Sequence, residues 1–344
     1  MDGDGGEAVE PRGRGATGVD LPAVLTRLDD QDPAEQRAAV RRIRTTIDDQ
    51  GQAAACAPTV PKLRSLLERP ELGFRDEIAA CLAELAADAP TDVAPSTGTI
   101  VTVARENADQ PVARELLRCL AAVAAERPDV LVEHLEAIAD VLDRRRGYDR
   151  HGLQAIARVS TAEPTAIEPV APILVDALAA NPIENGPPVC RALGRLARSD
   201  GELSTLEFVT HVASLVDHDD GALRHDAIGC LGDVVHCDPD AVEPVCADLA
   251  AALSFSDPET RAIAAVTVAR IAAETSDAVA PVREELRELL ADDHATVRAN
   301  ACVALGYGRV DAAVSRLREL ATDDPAPNVR DRASWALRRL SDGR

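Results

Sequence analysis

Apolar residues along this chain come in short blocks at helical spacing, and polar punctuation sets the blocks off in pairs. Residues 245–253 form one block, Ser256-Asp257-Pro258 interrupts it, and a second apolar helix is predicted from about Pro258 to Ala273. The unit is therefore helix A, turn, helix B. In the fifth unit Val189, Cys190, Leu193, Leu196 and Ala197 close one apolar face of helix B. The pair repeats. Asp277-Ala-Val-Ala-Pro281 has earlier counterparts in Asp240-Ala-Val-Glu-Pro244, Thr165-Ala-Ile-Glu-Pro169 and Thr91-Asp-Val-Ala-Pro95. Pro244 to Pro281 and Pro58 to Pro95 are each one period of about 37 residues, and Pro95 to Pro169 is two. A fixed period of that size predicts an all-α solenoid of about nine stacked helix pairs over residues 19–344, each pair burying its face on its neighbours. Residues 1–18 are Gly-rich and lack the apolar period, so a disordered acidic tail is expected there.

A second anchor is an Arg after an Asp-rich turn, as in Asp257-Pro258-Glu-Thr-Arg261 and Asp292-Asp293-His-Ala-Thr-Val-Arg298. Arg37, Arg75, Arg114, Arg150, Arg224, Arg261 and Arg298 hold this place. An Asp before helix B can cap its N-terminus and offer a carboxylate to the Arg, within a unit or from one unit to the next. Its recurrence in nearly every unit predicts a structural ladder rather than a catalytic pair. The Pro of the repeated phrase is expected in the first turn of the next helix, with the preceding Asp or Thr as its cap. Unit five departs from the pattern, because Pro187-Pro188 stand where the Arg belongs, and its turn is expected to differ.

Helix pairs with Pro in helix A, Asp in the turn and Val-Arg opening helix B resemble HEAT repeats. The resemblance is strongest over 282–340, where Asp292 to Gly306 is followed by the similar stretch Asp324 to Leu337. These last two units resemble the short HEAT-like repeat of phycobilisome lyases. The resemblance implies a superhelix whose B helices line the concave side. HEAT-repeat deoxyhypusine hydroxylases hold two irons with His-Glu pairs, and this chain has no His-Glu dipeptide.

The formal net charge of −22 and Lys62 as the sole lysine match a chain from a salt-accumulating cytoplasm, where ions screen carboxylate repulsion. Such a field repels nucleic acid and anionic membranes, and aromatic residues at 2% leave few rings for base stacking. No stretch has the apolar length of a membrane helix, and the start lacks a signal-peptide core. Eight cysteines stand singly with no Cys-x-x-Cys pair, which predicts small buried hydrophobes in a reducing compartment.

Motifs for nucleophilic serine hydrolysis, nucleotide phosphates, dinucleotides and zinc proteolysis are absent. The sixth unit collects His211, His218, His225, Cys230, His236 and Cys237, and the seven-residue steps of the first three make them the only weak metal candidates. His236 lies three helical turns past His225, so the set cannot serve one ion, and a solvated His-rich turn is expected, with no metal and no cofactor. A different stripe carries more weight. Arg191, Arg195 and Arg198 share one face of helix B in unit five, and the same register holds Gln154 and Arg158 in unit four and Arg118 in unit three. Beside them runs the turn Arg144-Arg145-Arg146-Gly-Tyr148. The predicted site is thus a cationic groove of Arg118, Gln154, Arg158, Arg191, Arg195 and Arg198, with Arg145 and Tyr148 at its side. Its predicted partner is an acidic peptide or helix of another protein. The expected function is a non-enzymatic cytoplasmic interaction scaffold. The alternative is a phycobilisome-lyase-like or metal-dependent HEAT-repeat enzyme. Oligomeric state is not specified.

Overall fold

The computed structural model describes residues 20–50, 53–203 and 205–342; the predicted tail over 1–18 lies outside the described residues. Among these residues all regular structure is helical, without strands, and it forms nine successive A and B pairs. The B helices are Pro33–Gln50, Arg75–Asp88, Pro111–Glu126, Arg150–Ala162, Pro182–Arg198, Gly221–Val234, Pro258–Glu274, Ala295–Tyr307 and Pro327–Asp342. Each packs on the B helix before and after it, giving one layer, while the A arms of units one to eight pack in a second layer behind. One apolar cluster runs between the layers from Val24 to Leu340. In unit three alone Val112, Leu116, Leu117, Leu120 and Val123 are buried. At about 1.5–3 kcal/mol for each fully buried large aliphatic side chain, this shared seam is the main source of cohesion.

The repeated phrase does not start a helix as expected. Pro95 and Pro244 sit at the start of short 3-10 turns inside the A arm, and Pro169 and Pro281 lie within such turns. The arm itself begins a turn earlier, at Pro90, Pro128, Pro164 and Pro239. A proline in mid-arm removes one i to i−4 bond, so the arm tightens there and resumes as α-helix afterwards. The capping side chain also moves: Asp238, not Asp240, accepts the Ala241 N–H at 3.1 Å.

The ladder is present in units six to nine, and its direction is defined. Arg224, Arg261, Arg298 and Arg330 each donate through Nη1 to carbonyls of their own A-to-B turn, at 2.6, 2.8, 2.7 and 2.7 Å for the shorter bond. The free edges of Arg224, Arg261 and Arg298 turn to the next unit. Arg261 Nε reaches Asp292 at 2.7 Å, and Arg298 meets Asp324 with a two-bond fork at 2.8 and 2.9 Å. Asp220 and Asp257 cap their own helices, as the sequence predicts.

Candidate functional site

The predicted arginine row lies on one face of the B layer, but its charge is engaged. Each guanidinium spans the gap to a neighbouring B helix. Arg118 Nη2 reaches the Ala80 carbonyl at 3.4 Å, Arg158 bonds the Ala121 carbonyl, and Arg195 reaches Ala157 O at 2.9 Å and Ser160 Oγ at 3.2 Å. Burial, and then the nearby Arg191, lowers the pKa of Arg195. Arg191 and Arg198 turn the other way, to Asp226 and Asp233 of unit six, and Asp233 also receives Arg270 at 3.2 Å. Gln154 lies half-buried on the same face. The row is a set of stitches between units, with carboxylates on its unit-six side.

The three candidate histidines are not brought together. His211 sits on the A arm, His218 Nδ1 accepts the Asp220 N–H at 3.0 Å, and His225 Nε2 faces Thr260 Oγ1 at 2.8 Å and Asp257 at 3.2 Å. Among the described residues no group of three or more His, Cys, Asp or Glu side chains can hold a metal.

The turn edge of units three to six holds the larger opportunity, a cleft of about 710 Å³. Its floor is the unit-four turn, which reverses through Gly147 at φ 81° and Tyr148 at φ 59°. Left-handed backbone of this kind is easy for Gly and costs about 1–2 kcal/mol elsewhere, so surrounding bonds must hold it. They do. Arg145 Nη1 donates to Ala108 O at 2.6 Å and Gln110 O at 3.3 Å, and Asn185 Nδ2 donates to Gly147 O at 3.3 Å and Ala177 O at 2.7 Å. Tyr148 packs partly buried against the core, which pushes its phenol pKa up, helped by Asp176 and Asp143.

These bonds change what the ladder residues do. By analogy with Arg224, which donates to the carbonyl six residues before it, Arg114 would cap Ala108; Arg145 already occupies that carbonyl. In unit five, where the Arg is missing, Asn185 ties the Ala177 carbonyl to the Gly147 carbonyl of the preceding turn. Arg114 and Arg150, expected in the ladder, are instead exposed on the cleft wall, and with Arg146 they have no hydrogen-bond or ion-pair partner among the described residues. Unit five supplies the opposite wall. Its A-to-B connection is Asn181 alone, and helix B starts at Pro182 and passes through Pro187 and Pro188 without ending. That early start lifts Ile183 to 56% exposure, the only large hydrophobic side chain so exposed among the described residues. Sequence reasoning named Arg145 and Tyr148 but missed Arg114, Arg146, Arg150 and Ile183; the run of three arginines beside Gly147 was the available signal.

Comparison with known proteins agrees with the architecture. Residues 283–343 match the family model of HEAT repeats. A solved crystal structure of an engineered protein superimposes with a TM-score of 0.76 at 20% identity, covering 94% of this chain and 89% of that one. At that identity the likeness concerns the fold. No curated protein matches the chain.

Proposed function

We propose that the protein is a non-enzymatic HEAT-type scaffold that holds a protein partner through an anionic group, at the turn-edge cleft of units three to six and the adjoining B-helix face. The observation that carries this reading is the convergence of Arg114, Arg146 and Arg150, all unpaired, on one cleft beside exposed Ile183. Three guanidinium groups without a partner line one cleft, and Arg is the side chain best suited to bidentate recognition of anions. Stacked units present extended surfaces of the kind used for binding, which fits a mount rather than a reaction chamber. The site therefore shifts from the predicted Arg191 and Arg195 row to the turn edge. Affinity capture from a native lysate tests it: Arg146→Glu with Arg150→Glu reduces recovery of the specific partner by about tenfold or more, with unchanged helicity. Full recovery by that variant would refute the cleft as the docking site.

The same reading places the chain in a reducing, salt-rich cytoplasm, supported by its free cysteines and its net charge of −22. Raising KCl to molar concentration is expected to raise the unfolding midpoint by screening surface repulsion. A flat or falling midpoint would remove that support.

A further inference from the structure

We propose that the cleft seats a phosphoryl dianion carried on a side chain of the partner, an inference that rests on the scaffold reading and adds the chemistry of the recognised group. Arg114, Arg146 and Arg150 bring three guanidinium groups without a counter-ion to one cleft. The carboxylates on the same walls are already committed. Asp149 accepts the His151 N–H at 3.0 Å and faces Arg145 at 3.7 Å, Glu184 accepts from Asn181 Nδ2 at 2.9 Å, and Asp220 accepts the Ala222 and Leu223 N–H groups at 2.9 and 3.2 Å. A lone carboxylate brings one charge and two oxygens to three free forks. A phosphorylated side chain brings a charge of about −1.5 to −2 and three acceptor oxygens, a closer match.

The rest of the surface selects in the same direction. A carboxylate-rich segment would set many like charges against a chain of net charge −22. A compact dianion on an otherwise neutral segment confines its charge to the cleft, while repulsion from distant acids is screened beyond roughly 10 Å at ordinary ionic strength. Ile183 identifies the source. A free phosphate would leave this exposed apolar side chain unused, whereas a peptide can lay the residue next to its phosphorylated position against it.

Fluorescence polarisation with the full chain tests the proposal, using labelled degenerate peptide libraries that differ only at the centre: phosphorylated Ser, Thr or Tyr, the unmodified residues, or Glu. The phosphorylated pools are expected to bind at least about tenfold more tightly than the Ser and Glu pools. Arg146→Ala with Arg150→Ala abolishes the difference, the double Lys variant keeps part of it, and Arg318→Ala, an exposed arginine of unit nine, leaves it intact. Equal binding of the Glu and phosphorylated pools would make this an acidic-peptide site and overturn the proposal. So would preferential binding of inorganic pyrophosphate, or a preference for phosphate that survives the double Ala variant. Loss of lysate capture in Arg146→Glu with Arg150→Glu, without any phosphate preference, would leave the scaffold reading standing and sink this one.

Discussion

Units six to nine and units three and four place arginine at the same point of the repeat and use it in opposite ways. In the C-terminal region Arg224 and Arg298 keep only 4% and 10% of their side-chain surface, locked between turn carbonyls and the next unit's acid. In the middle region Arg114 and Arg150 stand in solvent. The residue type is unchanged; for Arg114 what differs is competition for the carbonyl it would cap, Ala108 O, which Arg145 has taken. A structural rung becomes a free cation when a neighbour does its work.

The largest expected effect separates the two regions directly. Arg298→Ala leaves Asp324 buried without its partner, and loss of one member of such a pair costs about 3–5 kcal/mol, whereas Arg150→Ala stays within about 0.5 kcal/mol. Denaturant titration of the two variants checks the contrast, and equal losses would break it. Asn185→Ala comes next. It strips two carbonyls of a buried donor in unit five, for about 1–3 kcal/mol, and should also loosen the Gly147 turn that shapes the cleft.

A smaller, pH-dependent effect belongs to the first two units, where rungs are made differently. Hydrogen bonds from Arg41 and Arg37 hold the Glu77 carboxyl down at about 2, against an ordinary value of 4.5. Its folded pKa is depressed, so its contribution is complete above pH 4.5 and is lost as pH falls from there towards 2. Glu77→Gln should cost on the order of 1 kcal/mol at pH 7, with the difference from wild type narrowing by pH 3. A gap that widens in acid would contradict the assignment. The smallest effect is a matter of labelling alone. Cys237 is exposed while the other cysteines are buried, with burial pushing the Cys119 and Cys302 thiols up to about 12. A thiol reagent on native protein should therefore modify one cysteine, and mass mapping should find Cys237.

The period, the helix pairs and the C-terminal rungs were legible because apolar spacing and capping chemistry are local properties of the chain. The shared register of the arginine row follows from the same local spacing. Its partners were not legible. Arg195 reaches Ala157 and Arg198 reaches Asp233, each about one period away, and a helical register says which face a long side chain leaves but not where its tip lands. The freedom of Arg114 on the cleft wall was hidden for a related reason: Arg145 takes the Ala108 carbonyl across units, an outcome decided only when two turns meet.

The nearest-neighbour wiring of the rungs has a bearing on how such a chain can grow. Arg224, Arg261 and Arg298 each present a carbonyl grip to their own turn and look forward to an acid in the unit that follows. Units seven and eight are thus interchangeable parts, and duplicating or excising a whole one leaves every arginine with a matching acid. Unit five is not a spare part: its one-residue connection and its Asn185 fit only the turn of unit four. Length can therefore be adjusted on the C-terminal side while the cleft is inherited intact.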